Sequence, residues 1–242
     1  MQRVKAVIAY DGSTYFGFQK QKTTTQTISH TIEKALHTLH ITSNIVASGR
    51  TDAGVHATGQ VIHFDLPVFW TDLDKLKIHL NKKLTHIEFK HISPVPKTFH
   101  ARFSAKKRQY RYIFKTNKPS IFEQKYVSYY PSSFDALKLQ EALNTFTGKY
   151  DFQYFSKTGS SPHTTVRTIY KAKYYTYTNF HIITFQANGF LRSQVRMMVE
   201  ASIQHAQGKI TLQTLQMQIS RKEKTLTNLA PPEGLYLSQI MY

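Results

Sequence analysis

The sequence predicts an α+β protein of two ferredoxin-like (RRM-like) βαββαβ halves, joined into one large, mostly antiparallel sheet with helices on one face. Three observations predict it. Apolar residues alternate with period two in several short runs and recur at helical spacing between them. The order strand, helix, strand, strand, helix, strand is read once before residue 95 and again after residue 105. The chain has 242 residues, long for one ordinary domain and right for two small ones. The halves are placed at residues 1–100 and 101–242, with a basic cleft between them.

The first half opens with "RVKAVIAY" (3–10), a strand closed by the turn signal "DGS". In "TTTQTISHTIEKALHTLH", Ile28, Ile32, Ala35, Leu36 and Leu39 fall on one helical face, with threonines available as N-cap. "NIVAS" and "QVIHFDL" are the next two strands. "TDLDKLKIHLNKKL" is a helix with acids in its first turn and lysines in its last, which suits the helix dipole. "HIEFKHISPV" is a strand stopped by Pro94 and Pro96. The second half repeats the order. "KKRQYRYIFKT" is a strand with Tyr110, Tyr112 and Phe114 on one face, and "SSFDALKLQEALNTFTGKY" a helix ended by Gly148. "TTVRTIYKAKYYTYT" and "FHIITFQAN" are strands around a turn at Asn179. "FLRSQVRMMVEASIQHAQG" is a helix, and "GLYLSQIMY" the last strand.

Composition narrows the function classes. With no cysteine, disulfide scaffolds, thiolate nucleophiles and Cys-ligated metal sites are excluded. No apolar run approaches the roughly 18 residues of a membrane span, and "MQRVKAVIAYDG" reaches Asp11 too soon for a signal peptide; a cytoplasmic protein with no membrane partner is expected. Lys and Arg number 32 against 14 Asp and Glu, a net charge of +18, with 15 Tyr and 16 Phe. A basic surface with many aromatics is the footprint of a nucleic-acid binder. Composition is compatible with DNA and RNA alike.

Within that basic chain, "ASGRTDAGVHATGQ" (47–60) packs Arg50, Asp52 and His56 among three glycines, and Asp52 is the only acid between Glu33 and Asp65. Two readings stand. Asp52 is an Asx-turn residue with Arg50 a surface cation, or the glycines admit a substrate and a nearby arginine holds Asp52 ionised as a nucleophile. His56, His63 and His100 lack the spacing and accompanying carboxylates of a metal site; no metal is expected, and His56 is read as a support of the loop. No Walker or dinucleotide loop is present, so no cofactor is implied.

"SGRTDAGVHATGQVIHF" closely resembles the signature of the TruA family of tRNA pseudouridine synthases. "YDGSTYFGFQKQ", "FHARFSAKKRQYRYIF", "FLRSQVRMMV" and "LAPPEGLYLSQIMY" extend the resemblance along nearly the whole chain. It implies that Asp52 is the catalytic aspartate, that Tyr110 packs beside the target uracil, and that Arg196 pairs with the Asp52 carboxylate. Arg50, His56 and Leu235 complete the expected substrate-binding set. The resemblance also implies a tRNA partner bound at its anticodon stem-loop (positions 38–40), no DNA, and a homodimer. Arg192-Ser193-Gln194 and Glu200 depart from the family pattern, and Glu200, four residues after Arg196 on the same helix face, is placed to compete for it.

Making pseudouridine breaks a C–N glycosidic bond and forms a C–C bond to the same ribose. The base must first leave its stem, at a cost of a few kcal/mol. Arg50 either fills the vacated stack or contacts a phosphate. One placed carboxylate, where a glycosidase would use two, favours isomerisation over hydrolysis. The basic strand around Tyr110, with Lys106, Lys107, Arg108 and Arg111, reads as an RNA platform. A non-catalytic RNA-binding protein and a base-releasing hydrolase are the alternatives; the first lacks the RNP1 pattern.

Overall fold

The computed structural model describes residues 1–159 and 162–242. The chain divides into two compact units, Met1–Lys106 with Tyr236–Tyr242, and Lys107–Leu235.

The first unit runs β1 (Gln2–Tyr10), α1 (Ile28–His37), β2 (Val46–Ala47), β3 (His56–Leu66), α2 (Leu73–Lys83) and β4 (Ile87–Pro94). β1 pairs antiparallel with both β3 and β4, and β2 pairs antiparallel with the far end of β3. The resulting order β4-β1-β3-β2 is that of a split βαβ unit. Period-two burial along β1 puts Val4, Ala6 and Ile8 in the core, under Ile32 and Leu36 of α1 and Leu76 and Leu80 of α2. The Thr27 hydroxyl caps α1 by accepting from His30 N, and Asp72 caps α2 by accepting from Lys75 N at 2.8 Å. Across β1 and β3, Arg3 makes a two-pronged pair with Asp65 at 2.9 and 3.0 Å. The same guanidinium donates to the carbonyls of Lys97 and Phe99, tying down the segment after β4.

The second unit contains β5 (Lys107–Lys115), β6 (Ser128–Tyr129), α3 (Ala136–Thr145), β7 (Gly148–Asp151), β8 (Val166–Tyr177), β9 (Phe180–Ala187), α4 (Gln194–Ala206) and α5 (Leu212–Ile219). Its strands lie in the order β5-β9-β8-β7, all antiparallel, with β6 parallel to the end of β5. Phe114, Phe146, Phe155, Phe185 and Met198 are fully buried among them.

The final strand, β10 (Leu235–Met241), was expected in the C-terminal half. It runs parallel to the start of β3, with Tyr236 opposite His56 and Leu237 opposite Ala57, and Tyr236–Tyr242 belong to the first unit. Gly59 permits this approach: a Cβ there would lie 2.3 Å from the Ser238 carbonyl oxygen.

Other boundaries differ for local reasons. The helix expected to end at Gly148 stops at Thr145, and Gly148, at φ +129, turns the chain into the β7–β8 ladder. The helix expected from Phe190 begins at Gln194. Ser193 before it is left-handed (φ 57), and the Gln194 side chain accepts the Leu191 N–H at 2.7 Å. β3 starts at His56, four residues before Gln60, while β2 is reduced to two residues. Among the described residues no helix is long and apolar enough to cross a membrane.

Candidate active site

Asp52 sits in the loop between β2 and β3 at the first position of a β-turn. Val55 N donates to the Asp52 carbonyl at 3.2 Å, with Gly54 at φ +76 in the third position. Positive φ there is what a type II turn requires, so glycine is the fitting residue. The Asp52 residue is half-buried and Arg50 is exposed.

Segment 10–18 clamps this loop. The Tyr10 hydroxyl hydrogen-bonds the Thr51 hydroxyl at 2.8 Å in a buried setting. Phe18 N donates to the Thr51 carbonyl at 3.1 Å, and Gly54 N to the Tyr15 carbonyl at 3.4 Å. Burial pushes the Tyr10 phenol far above its ordinary range, so it stays protonated. On the other side, Gln60 accepts from Ser48 Oγ at 2.6 Å and donates to the Gly49 carbonyl at 2.8 Å. The backbone on both sides of Asp52 is thus fixed by side chains or strands outside the loop.

His56 is 1% exposed, inside the unit. Its Nδ1 accepts the Gly12 N–H at 3.0 Å and its ring stacks on Tyr236 at 4.8 Å. Because that ring nitrogen has one in-plane lone pair, it cannot also donate to Asp11 Oδ1, 3.3 Å away. Gly12 fits only as glycine, since a Cβ would stand 2.0 Å from the Val55 carbonyl oxygen. His63 and His100, the other histidines weighed as ligands, use Nδ1 to accept backbone N–H groups of Ala101, and of Arg102 and Phe103.

The remaining expected site residues lie in the second unit. Tyr110 is 9% exposed on β5, with its ring edge-on to Phe190 at 5.2 Å. Arg196 is half-buried on α4; its Nε donates to the Ala230 carbonyl at 2.7 Å, and Ala230 N returns a bond to the Arg196 carbonyl. Leu235 opens β10 and is 5% exposed. Glu200 is engaged elsewhere on its own side of α4 by two hydrogen bonds. Its two carboxylate oxygens accept from the Tyr130 hydroxyl and from Gln204, each at 2.8 Å. The basic platform expected around Tyr110 also divides. Alternation puts Arg108 on the Tyr110 face, bonded to the Asn188 carbonyl, and Lys107 and Arg111 on the other.

Local patterning does not find Tyr10, Gly12 or Thr51, whose role is to hold the aspartate loop. Gly12 is visible only as a turn glycine, and nothing in the sequence marks Tyr10 and Thr51 as partners.

The family model described as tRNA pseudouridine synthase matches residues 6–104 and 142–242. The proteins named tRNA pseudouridine synthase A from Helicobacter hepaticus and from Campylobacter jejuni subsp. jejuni serotype O:2 are each 39% identical to this chain. Each match covers 100% of both chains. One of that name from Helicobacter pylori strain P12 is 40% identical, again over 100% of both. This chain belongs to the tRNA pseudouridine synthase family, isomerases that convert uridine to pseudouridine in tRNA.

Proposed function

We propose that Asp52 is the catalytic carboxylate and that the target uridines lie at positions 38–40 of the tRNA anticodon stem-loop. The observation that carries this reading is the loop itself. A single carboxylate, in a chain of net charge +18, stands on a turn whose backbone is clamped from both sides. A fixed carboxylate acts on a reacting nucleoside without first paying to become ordered. The resemblance extends the assignment to Tyr110, beside the uracil, and to Arg196, as the partner of the Asp52 carboxylate. Arg196 suits that role because its Nε bond to Ala230 orients the guanidinium plane. His56 and Leu235, both buried, act by positioning.

The reaction balances without a cofactor. The N1–C1′ bond breaks, the uracil turns, C5 bonds to C1′, the C5 hydrogen leaves as a proton and N1 takes one up, so the product is an isomer of the substrate. The tRNA is held through its phosphates by the basic surface, in the cytoplasm where it is found. The active species is read as a homodimer, which sedimentation at working concentration tests; a monomer there would refute it.

Unmodified tRNA carrying 5-³H-uridine tests the chemistry. Wild type should release tritium, and Asp52→Ala should release none while binding tRNA within a few-fold of wild type. Release by Asp52→Ala near the wild-type rate would remove Asp52 from its role.

A further inference from the structure

Beyond the loop of Asp52, the second unit carries an exposed apolar tip that the reaction chemistry does not use. Ile121 is 76% exposed and Phe122 82%, at the apex of the connection from β5 to β6. This connection is ordered. Glu123 N and Gln124 N donate to the Ser120 carbonyl at 3.0 and 3.1 Å, and Tyr126 N and Val127 N donate to the Glu123 carbonyl. The Glu123 carboxylate accepts from Ser120 N at 2.9 Å, the reach-back half of a capping box. It also takes Lys115 Nζ at 2.5 Å. Lys115 is itself buried, 4.5 Å over the Phe180 ring. The Lys115 and Ser120 bonds lower the Glu123 carboxyl to about 2. A buried lysine therefore holds the turn that presents two apolar side chains to water.

The surface beside the tip has a consistent chemistry. On β5, Gln109, Arg111, Ile113 and Lys115 lie on the face opposite Tyr110. The register sets Arg111 opposite Thr184 and Thr184 opposite Lys173, with Gln109, Gln186 and Lys171 in the next row. Arg111 and Lys173 are thus two strand spacings apart, about 10 Å, and Arg111, Lys171, Lys173 and Lys118 are exposed. Glu123 is the only carboxylate in residues 105–134, and none occurs between Asp151 and Glu200. With Glu123 neutralised by Lys115, the face offers cations and an aromatic ring. A second copy of so basic a chain would meet it with like charge; a polyanion with flat bases meets it with both complements.

We propose that Phe122, with Ile121 beside it, is a stacking wedge for an unpaired base of the bound tRNA, whose adjoining phosphates lie on Lys118, Arg111, Lys171 and Lys173. The proposal rests on the reading of this chain as a tRNA-modifying enzyme. It adds a contact made by the second unit alone, with its strand cations on the sheet face opposite Tyr110.

The test compares wild type, Phe122→Ala, Phe122→Tyr and Leu137→Ala. Leu137 is an equally exposed apolar residue (83%) on α3. Each is measured for tRNA affinity by filter binding, for kcat and KM by tritium release, and for self-association by sedimentation. Stacking on one aromatic side chain predicts roughly a 5- to 100-fold rise in Kd and KM for Phe122→Ala. Its kcat should be unchanged, Phe122→Tyr should restore affinity, and Leu137→Ala should match wild type. Phe122→Ala binding as wild type does, while wild type releases tritium, overturns the wedge alone. So does loss of self-association with the affinity per protomer unchanged, which would make the tip a protein contact. A wild type that neither binds tRNA nor releases tritium overturns the enzyme reading and the wedge with it.

Discussion

His63 should make stability depend on pH between 6.5 and about 4. It lies on β3 at 4% exposure, and its Nδ1 accepts the Ala101 N–H at 3.1 Å. Burial, then the charges of Arg3 and His100, lower it from 6.5 to about 4, with Asp65 acting weakly in the opposite sense. A histidine lowered in the fold binds its proton more readily when unfolded. Its contribution is therefore complete above pH 6.5 and is lost as pH falls from 6.5 towards 4. At pH 5, the two pKa values give a loss of about 2 kcal/mol relative to pH 7.5. For a chain of this length that corresponds to roughly 4–8 °C in Tm. His63→Asn supplies the comparison, since Asn Oδ1 can take over from Nδ1 as acceptor for Ala101 and does not titrate. Thermal unfolding of both proteins from pH 7.5 to 5.0 isolates the effect, because the other groups are common to both. Wild type should lose the extra increment. Curves that stay parallel to within about 0.5 kcal/mol would refute a desolvated, neutral His63.

Three further outcomes follow from the site. Gly12→Ala drives a Cβ to 2.0 Å from the Val55 carbonyl; it should destabilise by about 2–4 kcal/mol and abolish tritium release, both checked on the purified variant, and wild-type turnover would show that the clamp is dispensable. Arg50, held by Nη1 to Gln19 Oε1 at 2.8 Å in an exposed position, is tested by Arg50→Lys. A phosphate contact survives that change, whereas a planar group filling a vacated stack does not, so a kcat/KM near wild type would rule out stack filling. Log Kd for tRNA should climb with log salt at about 0.7–0.9 per neutralised phosphate; a flat response in a salt titration would exclude the basic surface as the binding platform.

The parts of the fold legible in sequence are those whose signal is local. β1, α1, α2 and the β8–β9 hairpin carry their period and their caps within their own residues. Thr178, at φ 50 beside Asn179, takes the strained position of the expected turn. α5 is absent from the sequence reading, although Leu212, Leu215 and Ile219 stand at helical spacing behind the capping Thr211. The partner of β10 was not legible, because parallel pairing with β3 joins residues that are distant in the chain. Its one trace in sequence is Gly59, a glycine within a strand pattern, which marks a close backbone approach. The extended start of β3 was obscured in the same way, since "HATG" has no apolar alternation and pairs only because another strand is there to receive it.

The loop around Asp52 shows the same limit at the level of chemistry. Its glycines invite the reading that they make room for a nucleotide. Gly49 has open space where a Cβ would go, and Gly59 does not. Gly54 serves a left-handed turn position, and Gly59 lets another backbone approach. Their common effect is rigidity. Catalytic atoms must be held to about 0.5 Å, and no single bond in this loop does that, each contributing about 1 kcal/mol net. Tyr10 and Phe18 on Thr51, Tyr15 on Gly54 and Gln60 on Gly49 hold three residues of the same short loop. Moving Asp52 therefore requires breaking several at once. Loss of any one of these contacts should be tolerated better than a change at Gly12, whose displacement would shift the segment from which most of them come.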